Sequence, residues 1–400
     1  SQDERGFTVW YSMTSILGIC LLRVSVPRSE TVGYCLVLLM LLPFLASPVA
    51  GEWGEDSWLV NIIGPERLEN GDEFGCHGYE GILTSENNWV IEGCKDYLMD
   101  STNASRWGMA PISFGIPGQT VDLFTSSQLL LSGFRIVGDM LDEAPEGLTL
   151  AHRNGGSLEK GVADITQFES AEEDSLVSIY WRARIDDLRV REDKDAISWL
   201  ENQDLWYTTW GEWIMHQSSS KNTSLSLIGS EIHSFSEISE GGWSVPGTSF
   251  IEFDADISGV FDSNGDSYPV ISAESKKLEI GWRVVEGGML LTQSPGTNII
   301  VQLSETPESV SIEPAITFNG HRNAVTIVGH HTTNLFQWSS DFQESPLTFT
   351  WLIEKPSEEE IDWTLPIIAV ATLIAVPVAV KRVIESVSYT HLRAHETSID

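Results

Sequence analysis

Residues 177–185 read Val-Ser-Ile-Tyr-Trp-Arg-Ala-Arg-Ile, and this alternation governs how the chain is expected to fold. Val177, Ile179, Trp181, Ala183 and Ile185 fall on one side of an extended strand, with Ser178, Tyr180, Arg182 and Arg184 on the other. One apolar face and one polar face describe a strand of an antiparallel sheet that is wet on one side. The pattern recurs where Ile251, Phe253, Ala255 and Ile257 alternate with Glu252, Asp254, Asp256 and Ser258. Leu278, Ile280, Trp282 and Val284 lead into Glu286-Gly287-Gly288, a hairpin turn signal. Leu347, Phe349, Trp351 and Ile353 form a last strand before Pro356. Helical signal is sparse and limited to 91–100 and 195–202. In the second of these Asp195 is a candidate cap, and Ile197, Trp199 and Leu200 are the packing residues. The predicted fold is therefore mainly β, antiparallel and sandwich-like, with a few short helices and one C-terminal transmembrane helix.

That last helix is read from residues 363–380, WTLPIIAVATLIAVPVAV, which carry no charge. Lys381 and Arg382 follow, while Glu358, Glu359, Glu360 and Asp362 precede, so the positive flank predicts a cytoplasmic C-terminal side. Residues 32–50, after Arg23 and Arg28, form an apolar run ending in small residues, the pattern of a secretory signal peptide. The two segments predict the same orientation, with the region between them outside the cell. Residues 387–397 read VSYTHLRAHET, which resembles one reading frame of a transposase-type sequencing adaptor. We therefore expect 387–400 not to be natural protein and read no metal pair into His391 and His395.

The expected organisation is a leader over 1–50, a disulfide-containing region over 51–118, a mainly β middle region over 119–245 and a sandwich-like region over 246–355. An acidic stalk (356–362), the transmembrane segment (363–380) and a cytoplasmic stub (381–386) complete it. Of the 58 acidic residues in the chain, 52 lie in 51–362 against 17 Lys and Arg, so that stretch alone carries 17 − 52 = −35. Such a surface repels phosphate backbones and excludes nucleic acid as a partner. Fifteen Trp and fifteen Phe require extensive burial and exclude a disordered chain.

Chemistry-bearing residues are few. Cys76 and Cys94, in an exported region, are expected to form a disulfide, with His77 beside them as an alternative metal ligand. Asn103 and Asn222 head glycosylation sequons. Trp206, Trp210 and Trp213 could form an aromatic face for carbohydrate, core packing being the competing use. Asp254, Asp256, Asp262, Asn264 and Asp266 form an oxygen-rich run that could hold calcium. That loop departs from the EF-hand pattern at Ser267 and Ala273, and a plain acidic turn on Asn264-Gly265 competes with it. No nucleophile elbow, zinc-protease, phosphate-loop or dinucleotide motif is present, so no catalytic residues are assigned. The expected function is that of a single-pass plasma-membrane surface protein with a binding or structural role (envelope component, adhesin or substrate capture). The bilayer is its partner through 363–380; a cation, carbohydrate or protein ligand is left open. The alternative is a membrane-anchored extracellular hydrolase with a dispersed Asp/Glu/His site.

Overall fold

The computed structural model describes residues 64–79, 82–151, 153–157, 165–182, 194–238, 242–330, 345–355 and 364–396. The leader with its apolar run 32–50, the acidic stalk 356–362 and residues 183–185 lie outside them. Residues 51–358 form one compact unit, and the C-terminal helix belongs to a second.

In chain order the larger unit opens with α1 (Gly64–Asn70), β1 (Glu73–Tyr79), α2 (Trp89–Ser101), β2 (Ser113–Ile116) and α3 (Leu123–Leu131). There follow β3 (Ile136–Asp139), β4 (Thr149–Leu150), α4 (Ile165–Glu169), β5 (Leu176–Arg182), α5 (Lys194–Asn202), β6 (Trp206–Tyr207) and α6 (Trp210–Lys221). Eight antiparallel strands come next: β7 (Thr223–Ile228), β8 (Glu231–Ser236), β9 (Gly247–Glu252), β10 (Ile257–Asp262), β11 (Gly281–Val285), β12 (Gly288–Gln293), β13 (Asn298–Leu303) and β14 (Ser311–Pro314). Then β15 (Ala324–His330) and β16 (Phe349–Lys355) return to the first sheet.

This corrects the expected fold class. The largest sheet is an eight-stranded parallel half-barrel, ordered β4-β3-β2-β1-β16-β15-β5 with β6 also paired to β15. The strands at 177–182 and 349–353, read above as antiparallel, are parallel members of it. Antiparallel pairing among the described strands is confined to the stretch between β7 and β14. There the sheets β10-β13-β8-β7 and β11-β12-β9-β14 both contribute to one core of Ile232, Ile251, Val260, Met289, Leu291, Ile299 and Val301.

The alternation misled because the polar face is not wet. On β5, Val177, Ile179 and Trp181 join Phe74, Cys76, Phe114, Phe349 and Trp351 under α2, α3 and α5. The other face of the sheet, carrying Ser113, Ser178, Thr326 and Thr350, is also buried, because α6 packs into its concavity. Trp210 donates its indole N–H to Ser178 Oγ at 3.0 Å, and its backbone N–H donates to Thr350 Oγ1 at 3.0 Å. The ring also sits where a Cβ on Gly138 of β3 would come within 2.4 Å of it. One residue thus touches β3, β16 and β5, which are far apart across the sheet, and only a curved sheet permits that. The segment following β4 then bonds β5, with Gly155 N–H donating to Ser178 O and Tyr180 N–H to Gly156 O. The two ends of the strand order are therefore linked by one stretch of chain.

The start of α6 rests on a buried acid. Glu73 of β1 accepts the Gly211 N–H at 2.7 Å and the Ser113 hydroxyl, and Thr209 accepts from the Glu212 N–H at 3.2 Å. A carboxylate suits the positive end of a helix, although burial raises the Glu73 pKa against the pull of these hydrogen bonds. α3 is capped in the same manner by Asp122, which accepts from Phe124 N–H and Thr125 N–H.

Each of 51–118, 119–245 and 246–355 contributes strands to this sheet: β1 and β2, β3 to β6, and β15 and β16. Cys76 of β1 and Cys94 of α2 are joined in a disulfide, both fully buried. Replacing both cysteines by alanine is expected to lower stability by about 3 kcal/mol, since the bridge closes a loop with a sequence separation of 18. Urea unfolding of oxidised, reduced and double-variant chains measures this. A reduced wild type as stable as the oxidised one would contradict it.

The C-terminal unit contains α7 (Thr364–Glu396), with Pro377 inside it. Within α7, Ile367–Glu385 is long and apolar enough to cross a membrane, and none of it is buried in the protein.

Candidate functional site

In open α/β sheets, ligands are received outside the carboxyl ends of the strands, where the strand order reverses direction. Here that point lies between β1 and β16, since β1 is followed outward by β2 on one side and β16 is preceded by β15 on the other. The carboxyl ends gather five side chains: His77 from β1, Asp139 from β3, Tyr180 from β5, Glu354 from β16, and Arg153 from the segment after β4.

His77 occupies the centre. Its Nε2 lies 2.8 Å from Asp139 Oδ2 and its Nδ1 lies 3.4 Å from Glu354 Oε1, with all three residues buried. A ring with a carboxylate beside each nitrogen is favoured as the imidazolium, in which both nitrogens carry a proton. Burial alone would discharge it. The hydrogen bonds to Asp139 and Glu354 outweigh that penalty and raise its pKa to about 9. Space for the ring comes from Gly115 of β2, where a Cβ would stand 2.5 Å from His77 Cδ2.

Two backbone irregularities converge on the same point. The register of β1 against β16 shifts between Cys76 and Gly78, so His77 sits in a bulge. Asp139 ends β3 with φ of 71°, a left-handed conformation costly for a residue with a Cβ. Bulges and strained residues cluster at functional sites, where they re-aim side chains. The Asp139 N–H donates to Tyr180 Oη at 3.0 Å. Tyr180 is kept protonated by burial and by the adjacent Asp139 carboxylate. Over its ring, at 4.5 Å, lies the guanidinium of Arg153, which is exposed at the rim beside exposed Met140. Arg153 Nη1 is 4.0 Å from Asp139 Oδ1 and 3.1 Å from Met140 Sδ. The arrangement runs from an exposed cation, over a phenol, to a carboxylate, an imidazolium and a second carboxylate.

No protein-family model, curated protein or solved structure matches this chain.

Of the residues singled out by sequence, His77 lies here; the tryptophans and the oxygen-rich run lie elsewhere. Trp206, Trp210 and Trp213 are buried at 0%, 0% and 9% exposure, so they are core and not a surface platform. The cause is the placement of α6 inside the curved sheet, with Trp206 packed on Trp213, His216 and Phe318. Asp262, Asn264 and Asp266 share one turn, in which Asp262 Oδ1 accepts the backbone N–H groups of Asn264 at 2.8 Å and Asp266 at 3.0 Å. These bonds, led by that from Asp266, hold the Asp262 pKa below its usual value. Asp254 accepts the Glu308 N–H at 3.0 Å, and Asp256 O accepts from the Ser304 N–H. Among the described residues no group of three or more His, Cys, Asp or Glu side chains is arranged to hold a metal ion. Asn103 and Asn222 are both exposed.

Asp139 and Glu354 were not singled out in the sequence. Each closes a short apolar run, Ile136-Val137-Gly138 and Trp351-Leu352-Ile353. An acid at the end of such a run is what a buried parallel strand with a functional carboxyl end would show.

Proposed function

We propose that this chain is a single-pass, membrane-tethered surface protein that captures a ligand at the carboxyl edge of its parallel sheet without transforming it. The observation that carries the reading is His77 clamped between Asp139 and Glu354. A general base needs a pKa near the working pH and an open nitrogen. An imidazolium with a pKa of about 9 and a carboxylate at each nitrogen meets neither requirement at neutral pH. It serves instead to cross-link β1, β3 and β16 and so make the edge rigid. The groups at the rim, Arg153 and Met140, are the ones that would meet a ligand.

The orientation rests on independent features. Acidic residues precede α7 and Lys381-Arg382 lie in it after the apolar run, which favours a cytoplasmic C-terminal side. A buried disulfide and two exposed sequon asparagines suit an exported unit, with the plasma membrane as its location. Protease added to intact cells is expected to remove 51–362 and leave a membrane-bound fragment containing α7; full protection of 51–362 would reverse the orientation. The hydrolase alternative draws on the same convergence of Asp, His and Glu. Turnover of ester, peptide or glycoside reporters by the purified chain, abolished in His77→Asn, would replace the binding reading with that one.

A further inference from the structure

A second site lies at the amino-terminal ends of β5, β6 and β15, at the other end of these strands from the edge that carries His77. There the surface sinks into a cleft of about 460 Å³, within the roughly 300–1,000 Å³ typical of small-molecule sites. Its wall is aromatic. Phe168 of α4 and Trp199 of α5 stand with ring centroids 5.7 Å apart and planes tilted by 40°, both half-buried at the margin of the core.

The rim carries polar groups of both signs: Glu169, Gln203, Asp204 and Arg322. Gln203 Nε2 donates to the Trp199 backbone carbonyl at 3.1 Å. Asp204 is exposed, and its Oδ1 lies 2.8 Å from Nδ1 of buried His321, so the carboxylate is anchored from one side. Arg322 and Glu169 are exposed, with Arg322 Nε 3.5 Å from Glu173 Oε1.

The mixture of groups discriminates between ligand classes. An organic cation would suit the aromatic wall and the carboxylates but would meet Arg322. An anion would suit Arg322 but would meet Glu169, Asp204 and a chain of net charge −35. A neutral sugar uses every group present. The C–H face of a pyranose lies on the indole, and its hydroxyls, each both donor and acceptor, pair with the carboxylates, the amide and the guanidinium. We infer that this cleft binds a neutral mono- or disaccharide with Trp199 as the platform. The assignment is independent of the ligand at the carboxyl edge.

The test uses the full chain in lipid nanodiscs prepared without glycoside detergents. Cellobiose, maltose and di-N-acetylchitobiose are titrated, with tetramethylammonium and N-acetylneuraminic acid as charged controls. Saturation-transfer NMR and tryptophan fluorescence are the readouts. At least one of the three disaccharides is expected to saturate at millimolar concentration or below, with neither control competing. Trp199→Ala is expected to weaken that binding by about tenfold or more. Because Trp199 also packs on the core, Gln203→Ala and Glu169→Gln provide the second arm, each weakening binding by about three- to tenfold with Tm unchanged. Three outcomes would each overturn the assignment: no saturation by any of the three sugars, saturation by tetramethylammonium instead, or equal affinity in the wild type and all three variants.

Discussion

The Tm of this chain is expected to peak near pH 6.5 and to fall on both sides, because two buried histidines are held in opposite protonation states. His77 is raised from 6.5 to about 9, so the folded state binds its proton more tightly than the unfolded chain. Its contribution is complete below pH 6.5 and is lost as the pH climbs toward 9. His216 of α6 is the reverse. It is wholly buried, its Nε2 accepts the Thr248 N–H at 3.2 Å, and burial lowers its pKa from 6.5 to about 3. Its contribution is complete above pH 6.5 and is lost as the pH falls toward 3. Each limb is worth on the order of 3–5 kcal/mol.

Lys277, lowered from 10.5 to about 8 by burial, contributes the opposite slope between those two values. The clean window for His77 is therefore pH 6.5 to 8. On the acid side, ordinary carboxylates titrate below about pH 4.5 and Glu73, raised above that by burial, adds the opposite slope, so the His216 contribution is read as the difference between the wild type and the His216 variant. Scanning calorimetry across this range should show His77→Gln flattening the alkaline limb and His216→Asn flattening the acid limb. Variants that keep the wild-type slopes would show that neither histidine is the origin.

The second large effect belongs to Trp210. Truncation to alanine is expected to cost about 3–5 kcal/mol, because the indole fills the concavity of the sheet and no neighbour can collapse into it. Gly138→Ala should cost about 1–3 kcal/mol through overpacking, as its Cβ would stand 2.4 Å from the Trp210 ring. The two changes touch the same space, so they should not add. Gly138→Ala combined with Trp210→Phe is expected to be more stable than the sum of the single effects by about 0.5–3 kcal/mol. Denaturant unfolding of Trp210→Ala, Gly138→Ala, Trp210→Phe and the double variant measures these effects. Strict additivity would mean that Trp210 does not occupy the space in front of β3.

How much of this was legible in the sequence depends on the face considered. The helices at 91–100 and 195–202 stand at Trp89–Ser101 and Lys194–Asn202, and Glu286-Gly287 makes the turn between β11 and β12. Those signals are local: apolar spacing and glycine in a bend. The direction of strand pairing is not local. Ser178 and Thr350 look like solvent-facing positions because a hydroxyl is polar, and here the hydroxyls bond the indole and backbone of a helix. Parallel sheets buried on both faces normally read as continuous apolar runs. Small hydroxyl residues imitate alternation instead. The site was hidden for the same reason, since His77, Asp139 and Glu354 lie 62 residues or more apart and meet only because β1, β3 and β16 end together.

The strand order also sets a schedule for biosynthesis. Asp72 accepts the N–H of Phe349, a partner 277 residues away, and β16 fills the central slot beside β1. While the chain emerges from the ribosome, β1, β2 and β3 can assemble early, but their open flank must wait through the whole β7–β14 insertion. The missing strand arrives only just before α7, which begins at Thr364, nine positions after Lys355. Completion of the larger unit and synthesis of the apolar helix α7 thus become nearly simultaneous events. Folding governed by such distant pairings is slow and leaves apolar surface uncovered meanwhile. The nascent chain should depend on chaperones until its last strand is delivered.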